Sequence, residues 1–448
     1  MAIATQTTNE LLETTVLKSA ISKAARHLMP MLVILYVVSF LDRTNVGFAA
    51  DALGTDRGVS AGAFALGAGI FFIGYALFEI PSNLLLRKVG AKIWLARIAI
   101  TWGIVEASFA FVQGEKSFIV LRFLLGVTEA GLFPGVIMYL AEWFPNKTRV
   151  RMFAIFYLAQ PFSQMIGNPL SGWLINIGDK MPGVHGWQVM FFVEGVLAIF
   201  TGIACFFFLI NGPDKAKFLS KDERQALKEV MANEDSIREE TGPNGVFAAM
   251  RNAKVWYFTV IYFCLQIAVY GVTFFLPQQV AQLTGQKVGL AVGLLVGVPW
   301  FFGIFACYFI GRAATTITRR RSFGIGLFIS TGLGIFGSAW AGANHQPVVG
   351  MVFITLAVCS FLAVGPITWS YPTAFLTGSA AAAGIGLINS LGNLGGFVAP
   401  LLRTAVNGYT NSPTGSAGVY ALGILPFLGA LLMFGTRKLK TKADDLLD

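Results

Sequence analysis

An arginine and a glutamate lie inside one long apolar stretch of this sequence. The stretch Leu121–Trp143 reads LRFLLGVTEAGLFPGVIMYLAEW and contains Arg122 and Glu129. A charge at membrane depth costs at least ~2.5–3.5 kcal/mol, so a residue of this kind faces protein or water and is a functional candidate. The two residues are about two helical turns apart, which predicts that they share one face of a helix.

A second pair of charges, Asp42 and Arg43, lies in the first hydrophobic stretch. An arginine presents a planar fork that suits a substrate carboxylate. When an anionic substrate competes for the arginine, the neighbouring carboxylate loses its partner and takes up a proton more readily. Proton and anion then favour each other's binding, and this linkage is reciprocal. The pattern predicts that Asp42 and Glu129 carry protons while Arg43 and Arg122 bind an anion; buried structural ion pairs are the alternative.

Acidic residues are confined to one part of the chain. No Asp or Glu occurs between Glu240 and Asp444, so any titrating carboxylates lie in the first half. The remaining acids of its hydrophobic segments are predicted to be structural. Glu79 and Glu142 lie near segment ends and are expected to meet water, loop cations or backbone, whereas Glu106 and Glu194 lie further inside.

Uncharged polar residues occur at the depth where a substrate would bind. Asn389 and Asn393 are four apart in a glycine-rich stretch and so share a helix face. Thr368 and Trp369 stand between two prolines, a pattern that predicts broken backbone lining a cavity. Tyr75 and Gln160 are the matching candidates of the first half. Simple packing is the alternative role for each of these side chains.

The elements that position these residues follow from composition. Of 448 residues, 55% are hydrophobic and 12% charged, against roughly 25% charged in soluble domains. Apolar segments of ~20 residues, the length a bilayer requires, predict an all-α polytopic membrane protein with twelve transmembrane helices in two six-helix bundles. The segments lie near 28–50, 62–86, 93–112, 118–143, 152–177, 188–210, 255–280, 288–311, 323–343, 347–371, 380–404 and 416–436.

The predicted domain limits follow these segments. They are an N-terminal segment 1–27, a first bundle 28–210, a linker 211–253 with a surface helix, a second bundle 254–436 and a tail 437–448. Ser220 and Glu223 fit a capping box that begins the linker helix.

Basic residues are distributed unevenly among the loops. Most of the 33 Lys and Arg residues fall on the side that carries both termini and the linker. By the positive-inside rule, that side is predicted to be cytoplasmic in a bacterial inner membrane. The net charge of +10 is therefore attributed to topology, and no nucleic-acid partner is expected.

Other chemistry has little support in the sequence. The four cysteines lie in hydrophobic segments without metal or disulfide spacing, and we expect them to be free thiols. No nucleophile–base set, nucleotide-binding loop or metal cluster is recognisable. The sequence therefore predicts no enzyme activity, no metal and no cofactor, with a proton gradient as the driving force and the monomer as the functional unit in the lipid bilayer.

Taken together, these motifs resemble the anion:cation symporter branch of the major facilitator superfamily. The resemblance rests on FLDRTNVGFA (Phe40–Ala49), RFLLGVTEAGLFPG (Arg122–Gly135) and GLINSLGNLGGFVAP (Gly386–Pro400). It implies that Asp42 and Glu129 carry protons, that the two arginines handle the anion or the coupling, and that alternating access is achieved by rocking of the two halves. It also implies a substrate site lined by four residues, Tyr75, Gln160, Trp369 and Asn389.

The substrate is left open by the sequence. Aromatic residues such as Phe40, Phe71 and Phe72 suit an aromatic acid, whereas the amide and hydroxyl groups suit a tartrate-like or sugar acid. We predict import of a small organic carboxylate in symport with protons. The alternatives are a cation or drug exporter working as a proton antiporter on the same fold, and a membrane sensor or enzyme.

Overall fold

The computed structural model describes residues 15–241, 251–375, 378–412 and 415–439, and these residues form helices joined by short turns. The first half comprises α1 (Thr15–Thr44), α2 (Val46–Arg57), α3 (Ala61–Val89), α4 (Ala91–Ser108), α5 (Glu115–Glu129), α6 (Leu132–Trp143), α7 (Asn146–Tyr157), α8 (Ala159–Gly178) and α9 (Gly186–Phe208). Helix α10 (Lys221–Thr241) belongs to the linker. The second half comprises α11 (Ala253–Thr273), α12 (Leu276–Thr284), α13 (Leu290–Ala313), α14 (Ile317–Ala343), α15 (Pro347–Phe375), α16 (Gly378–Asn393), α17 (Gly395–Tyr409) and α18 (Ser416–Gly435).

The described helices agree with a polytopic all-α fold. Eleven helical segments are long and apolar enough to cross a membrane, and the fold class predicted from the sequence is confirmed. The remaining predicted span, 152–177, corresponds to α7 and α8. Helix α8 has 20 residues, but its buried face carries Ser163, Gln164, Asn168 and Ser171, which accounts for its weaker apolar character.

Two hydrophobic cores underlie the two halves. One is built mainly from residues of the first half, from Leu17 to Met231, and the other from residues between Val255 and Met433. Large apolar side chains also remain exposed on the outer surface, among them Ile80 and Phe207, which are 70% and 72% exposed. Side chains of this kind suit a surface covered by lipid.

The halves approach one another most closely on the side opposite the chain termini, here named the far face. There the amide of Gln278 donates a hydrogen bond to the carbonyl of Gly47, so α12 is held against the α1–α2 junction. Helix α8 packs against α13 because Gly293 lies on the backbone of Asn168, where an added Cβ would come within 3.0 Å of the adjacent Pro169. These contacts close the far side of the space between the halves.

The linker helix is anchored on the side that carries the termini, here named the terminal face. The predicted capping box is confirmed: the Ser220 N–H donates to Glu223 (2.8 Å) and the Glu223 N–H donates to the Ser220 hydroxyl (3.2 Å). The same carboxylate accepts hydrogen bonds from Lys23 (3.0 Å) and Ser19 (2.7 Å) of α1. Residues 242–250 of the predicted linker, 1–14 of the N-terminal segment and 440–448 of the tail lie outside the described residues.

Removal of the Glu223 carboxylate is expected to loosen the linker. The hydrogen bond from Lys23, with those from the Ser220 N–H and the Ser19 hydroxyl, lowers the pKa of Glu223 to about 2. Glu223→Ala is expected to lower the stability of the purified protein at neutral pH by about 1–3 kcal/mol, the usual value of hydrogen bonds to a buried charge. The measurement is thermal unfolding in detergent, with the exposed Glu229→Ala of the same helix as control.

The effect also has a defined pH dependence. A carboxylate with a depressed pKa stabilises the fold above its unfolded value of about 4.3, and this contribution is lost as pH falls towards the folded value. The difference between wild type and Glu223→Ala is therefore expected to shrink on acidification below about pH 4. A difference that grows with acidification would contradict this account.

Candidate functional site

A central cavity lies between the halves and is open to solvent; its empty space, together with solvent at the mouth, amounts to about 650 Å³. Its wall combines aromatic rings with amide groups and one arginine. The lining residues are Tyr36, Phe40, Arg43, Tyr75, Leu132, Phe133, Tyr157, Gln160, Tyr262, Leu265, Gln266, Val269, Tyr270, Phe361, Leu362, Gly365, Asn389 and Asn393. Arg43 is the sole charged side chain among these.

Arg43 projects from the end of α1 into this cavity and is held by both halves. Its guanidinium forms an ion pair with Glu129 and donates a hydrogen bond of 3.4 Å to the hydroxyl of Tyr270 in α11. It also lies over the rings of Phe40 and Phe71, at 5.0 and 5.2 Å from the ring centres. The side chain is 11% exposed, so its charge is nearly desolvated yet faces the cavity.

Glu129 reaches Arg43 because the helix that carries it ends there. The sequence predicted one continuous helix through Glu129, but the structure breaks it into α5 and α6 at Ala130 and Gly131. Gly131 has φ = 88°, a left-handed conformation that other residues rarely adopt. The Glu129 carboxylate, itself 2% exposed, is thereby directed at an arginine of another helix.

The observed ion pair differs from the pairs suggested by the sequence. Arg43 binds Glu129 and not its chain neighbour Asp42, because consecutive residues of a helix point in directions about 100° apart. Arg122 is fully enclosed at 1% exposure and does not line the cavity. It donates a hydrogen bond to the carbonyl of Gly67 (3.2 Å) and lies 5.4 Å from the ring of Phe71.

Asp42 lies behind the cavity wall, inside the first half. Its carboxylate accepts a hydrogen bond of 2.6 Å from the indole N–H of Trp102, and only 1% of the residue is exposed. Two helices of the first half, α4 and α9, pack around this position and add Glu106 and Glu194. The predicted site residues are thus divided between the cavity and an enclosed polar region.

The second half presents a chain of amides to the cavity. The Gln266 amide donates to Asn393 (2.5 Å), and the Asn393 amide donates to Asn389 (3.1 Å). All three line the cavity, and Gln160 and Tyr75 face them from the first half. The cavity therefore offers fixed hydrogen-bonding groups opposite the cation.

The prediction of broken backbone around Thr368 and Trp369 is wrong. Helix α15 runs without interruption from Pro347 to Phe375, with Pro366 and Pro372 inside it, since prolines are tolerated where neighbouring helices surround a membrane helix. Thr368 is 2% exposed and does not reach the cavity. Trp369 packs edge-on against the cavity-lining residue Tyr262, and the centres of the two rings are 4.9 Å apart.

The prediction that Glu79 lies near a helix end, satisfied by water or loop cations, is also wrong. Glu79 is 3% exposed and accepts a hydrogen bond of 2.8 Å from Ser390 in the opposite half. Glu79 lies one helical turn from Tyr75, and neither of its neighbours in the chain is basic. The carboxylate therefore joins the halves instead of capping the terminal face.

Sequence reasoning missed most of the cavity-lining tyrosines. Tyr262, Gln266 and Tyr270 occur every fourth residue of α11 and all line the cavity, a spacing that places them on one helix face. This periodic polar stripe in an apolar span was a readable signal. Tyr36 and Tyr157 belong to no comparable stripe of polar residues at every fourth position.

Metal chemistry finds no support among the described residues. No cluster of three or more His, Cys, Asp or Glu side chains suited to a metal ion occurs there. The four cysteines are free thiols, as predicted, and Cys307 of α13 lies near Cys359 of α15.

Two helical halves around a central cavity, with apolar outer surfaces, define a multi-pass membrane transporter. Comparison with known families agrees. The chain belongs to the Major Facilitator Superfamily, whose family model matches residues 32–400. The sequence-based assignment to this superfamily is confirmed, and its members are generally transporters and not enzymes.

Several relatives match nearly the whole chain. The inner membrane transport protein RhmT of Escherichia coli is 38% identical over 96% of this chain and 98% of its own length. A putative tartrate transporter of Agrobacterium vitis is 40% identical over 92% and 89%. A quinolone resistance transporter of Acinetobacter baumannii is 37% identical over 93% and 94%.

Solved structures support the same architecture. The xylose transporter XylE of Escherichia coli, in a partially occluded inward-open conformation, superposes with a TM-score of 0.71, covering 91% of this chain and 98% of that one. The two sequences are 14% identical, so this likeness concerns the fold alone.

The break at Gly131 is expected to be necessary for the position of Glu129. Gly131→Ala puts a Cβ into a left-handed conformation and within 2.8 Å of the Ser82 Cβ, at a cost of about 1–3 kcal/mol. A lower thermal unfolding midpoint is therefore expected. Gly62→Ala is the control, because its Cβ meets nothing within 4 Å and alanine favours the helix. Equal midpoints for the two variants would contradict the argument.

Proposed function

We propose that the protein imports a small organic carboxylate together with protons across the bacterial inner membrane by alternating access. The observation that carries this proposal is the Arg43–Glu129 ion pair at the wall of the central cavity. Arg43 is shielded from bulk water, faces the cavity and is already paired with a carboxylate. A cation in this position is suited to exchange one carboxylate for another.

The cavity favours an anion on electrostatic grounds. Arg43 is the charged group on its wall, and the second half contributes uncharged amides and tyrosines. In a desolvated site the attraction between a guanidinium and a carboxylate is much stronger than in water. A substrate carboxylate can therefore bind Arg43, while hydroxyl or ring groups contact Gln266 and Asn389.

Coupling follows from competition for Arg43. A substrate carboxylate that binds the guanidinium displaces Glu129, which is then a buried charge without its partner. An uncompensated buried charge is costly, so the carboxylate takes a proton from water and becomes neutral. Proton and substrate stabilise each other's bound state, and this is the condition for symport.

The direction of access follows from charge and packing. If the basic terminal face is cytoplasmic, the close contacts at the far face seal the periplasmic side. The conformation described here then corresponds to a carrier whose cavity is reached from the cytoplasm. Rocking of the halves would break the Gln278–Gly47 contact and open the opposite side.

L-Tartrate is the first substrate to test, because two of the relatives are named putative tartrate transporters. Purified protein in liposomes is expected to accumulate labelled L-tartrate when the outside is acidic and to reach only equilibrium without a gradient. Aromatic and sugar acids are tested as competitors of this uptake. Accumulation that is indifferent to the gradient would overturn the coupling.

Arg43→Lys is expected to reduce this uptake by about tenfold or more, because lysine keeps the charge but loses the bidentate fork. Initial rates across a range of tartrate concentrations separate weaker binding from slower turnover. Arg312→Lys is the control, since Arg312 is exposed at the terminal face and donates a hydrogen bond of 2.7 Å to its helix neighbour Tyr308. An unchanged tartrate affinity in Arg43→Lys would contradict the assigned role.

Glu129→Gln is expected to separate exchange from coupling. The glutamine cannot carry the proton, so gradient-driven accumulation is lost, while exchange of internal for external tartrate continues. The experiment compares both reactions in the same liposomes. Accumulation at the wild-type level in this variant would exclude Glu129 as a coupling group.

Export of a drug is the second candidate, and it rests on the relative named a quinolone resistance transporter. Quinolones also carry a carboxylate, so the same cation could bind them. The liposome assay separates the two functions. A symporter accumulates its substrate with protons entering from the same side, whereas an antiporter drives a quinolone against the direction of proton flow.

A further inference from the structure

Three carboxyl groups from three helices meet behind the cavity, within the first half. They are Asp42 of α1, Glu106 of α4 and Glu194 of α9, here named the inner acid cluster. Their residues are exposed by 1%, 1% and 0%. The amide nitrogen of Asn45 joins two of them, donating to Glu106 at 2.7 Å and to Glu194 at 2.6 Å.

The cluster has fewer hydrogen-bond donors than acceptors. The Asn45 amide uses its two hydrogens on the glutamates, Trp102 donates to Asp42 and Ser171 donates to Glu194 (2.7 Å). Even so, one carboxylate oxygen of Asp42 and the side-chain oxygen of Asn45 are buried without a donor. A proton on a carboxyl group turns an acceptor into a donor, so bound protons would supply what the geometry lacks.

Charge balance points in the same direction. The buried interior around the cluster holds four carboxyl groups, the inner acid cluster and Glu129, against two guanidinium groups. Arg43 is paired with Glu129. Arg122 interacts electrostatically with both Glu106 and Glu129, but it forms no ion pair within the described part of the chain, and one of its terminal nitrogens is buried without a partner. Buried charges without compensation are unfavourable by several kcal/mol each.

We propose that the inner acid cluster is a second proton-binding site, in which Glu106 and Glu194 exchange protons together with Asp42, and that Arg122 links it to the cavity pair. This inference deepens the proposed function and rests on it for its link to transport. The charged or titratable groups that face the cluster are Arg122 and Glu129, while α8 contributes the uncharged Ser171. Each step is a simple proton exchange: H⁺ from water binds a carboxylate oxygen and later returns to water.

The link through Arg122 follows from its position. When a substrate anion takes Arg43, Arg122 is the neighbouring cation that remains to Glu129 until a proton neutralises its carboxylate. A shift of the Arg122 guanidinium towards the charged Glu129 during this step removes positive charge from Glu106, and the cluster then compensates by binding a proton. Arg122 is thus a positioning residue, whereas Glu106 and Glu194 would be coupling residues that the sequence pattern had marked as structural.

Infrared spectroscopy of the purified full-length protein tests the site without any substrate. Protonated carboxyl groups shielded from water have a distinct C=O stretch, and spectra are recorded across a pH series in detergent. In wild type this band is expected to change with pH. In Glu106→Gln/Glu194→Gln the change is expected to fall to about three-fifths, since two of the five buried carboxyl groups of the first-half membrane helices are removed. Glu142→Gln, which removes an exposed carboxyl group of α6, is expected to leave it unaltered.

Two results would overturn the proposal. One is a band in the double variant that matches wild type at every pH; the other is a wild-type band that never responds to pH, as a permanently protonated structural acid would give. Glu106→Gln and Glu194→Gln are also measured singly. If the double variant folds poorly, the two single variants still test the proposal. The proposed function and this inference fail on different results. If tartrate is not taken up, the band can still respond to pH, and the proposed function alone is contradicted. If protons drive uptake but the band of the variants matches wild type, the second proton-binding site alone is contradicted.

Discussion

The ion pair between Arg43 and Glu129 is the interaction on which the remaining arrangement depends. Each charge alone would be unfavourable in an interior that water scarcely reaches, and together they compensate each other. The pair needs α1 to end at the cavity and α5 to end at Glu129, and the left-handed Gly131 provides the second condition. It also extends to the second half, because Tyr270 accepts a hydrogen bond from the same guanidinium. A change in this ion pair therefore alters contacts in both halves.

The two halves have different electrostatic tasks. The first half carries the buried acids and both buried arginines of the site region, and the guanidinium groups of Arg43 and Arg122 lie 5.2 and 5.4 Å from the centre of the Phe71 ring. The second half contains no carboxylate in its spans and supplies the amide chain from Gln266 to Asn389. Ionic interactions are thus concentrated in the first bundle. The opposite wall can move against it without separating opposite charges in a low-dielectric medium.

Contacts between the halves are few in kind and differ between the two faces. The far face is held by close backbone approach, in which small residues such as Gly47 and Gly293 permit helices to touch. Nearer the terminal face, a hydrogen bond joins Glu79 to Ser390, next in the chain to the cavity residue Asn389. Close packing at one face and polar contact at the other would allow the halves to pivot about the cavity, as an alternating-access carrier requires.

The fold class and most of the membrane spans could be predicted from the amino-acid pattern, because the length of an apolar run and the charge of a loop do not depend on contacts between helices. It also marked the rare buried charges, since a charge in an apolar run is conspicuous wherever it points. The partners of these charges became known from the folded protein: Arg43 pairs with Glu129, Asp42 accepts a hydrogen bond from Trp102, and Glu79 accepts one from Ser390 of the other half. Those pairings arise between helices far apart in the chain, and their choice depends on a one-residue break and on helix rotation, which hydrophobic periodicity does not encode.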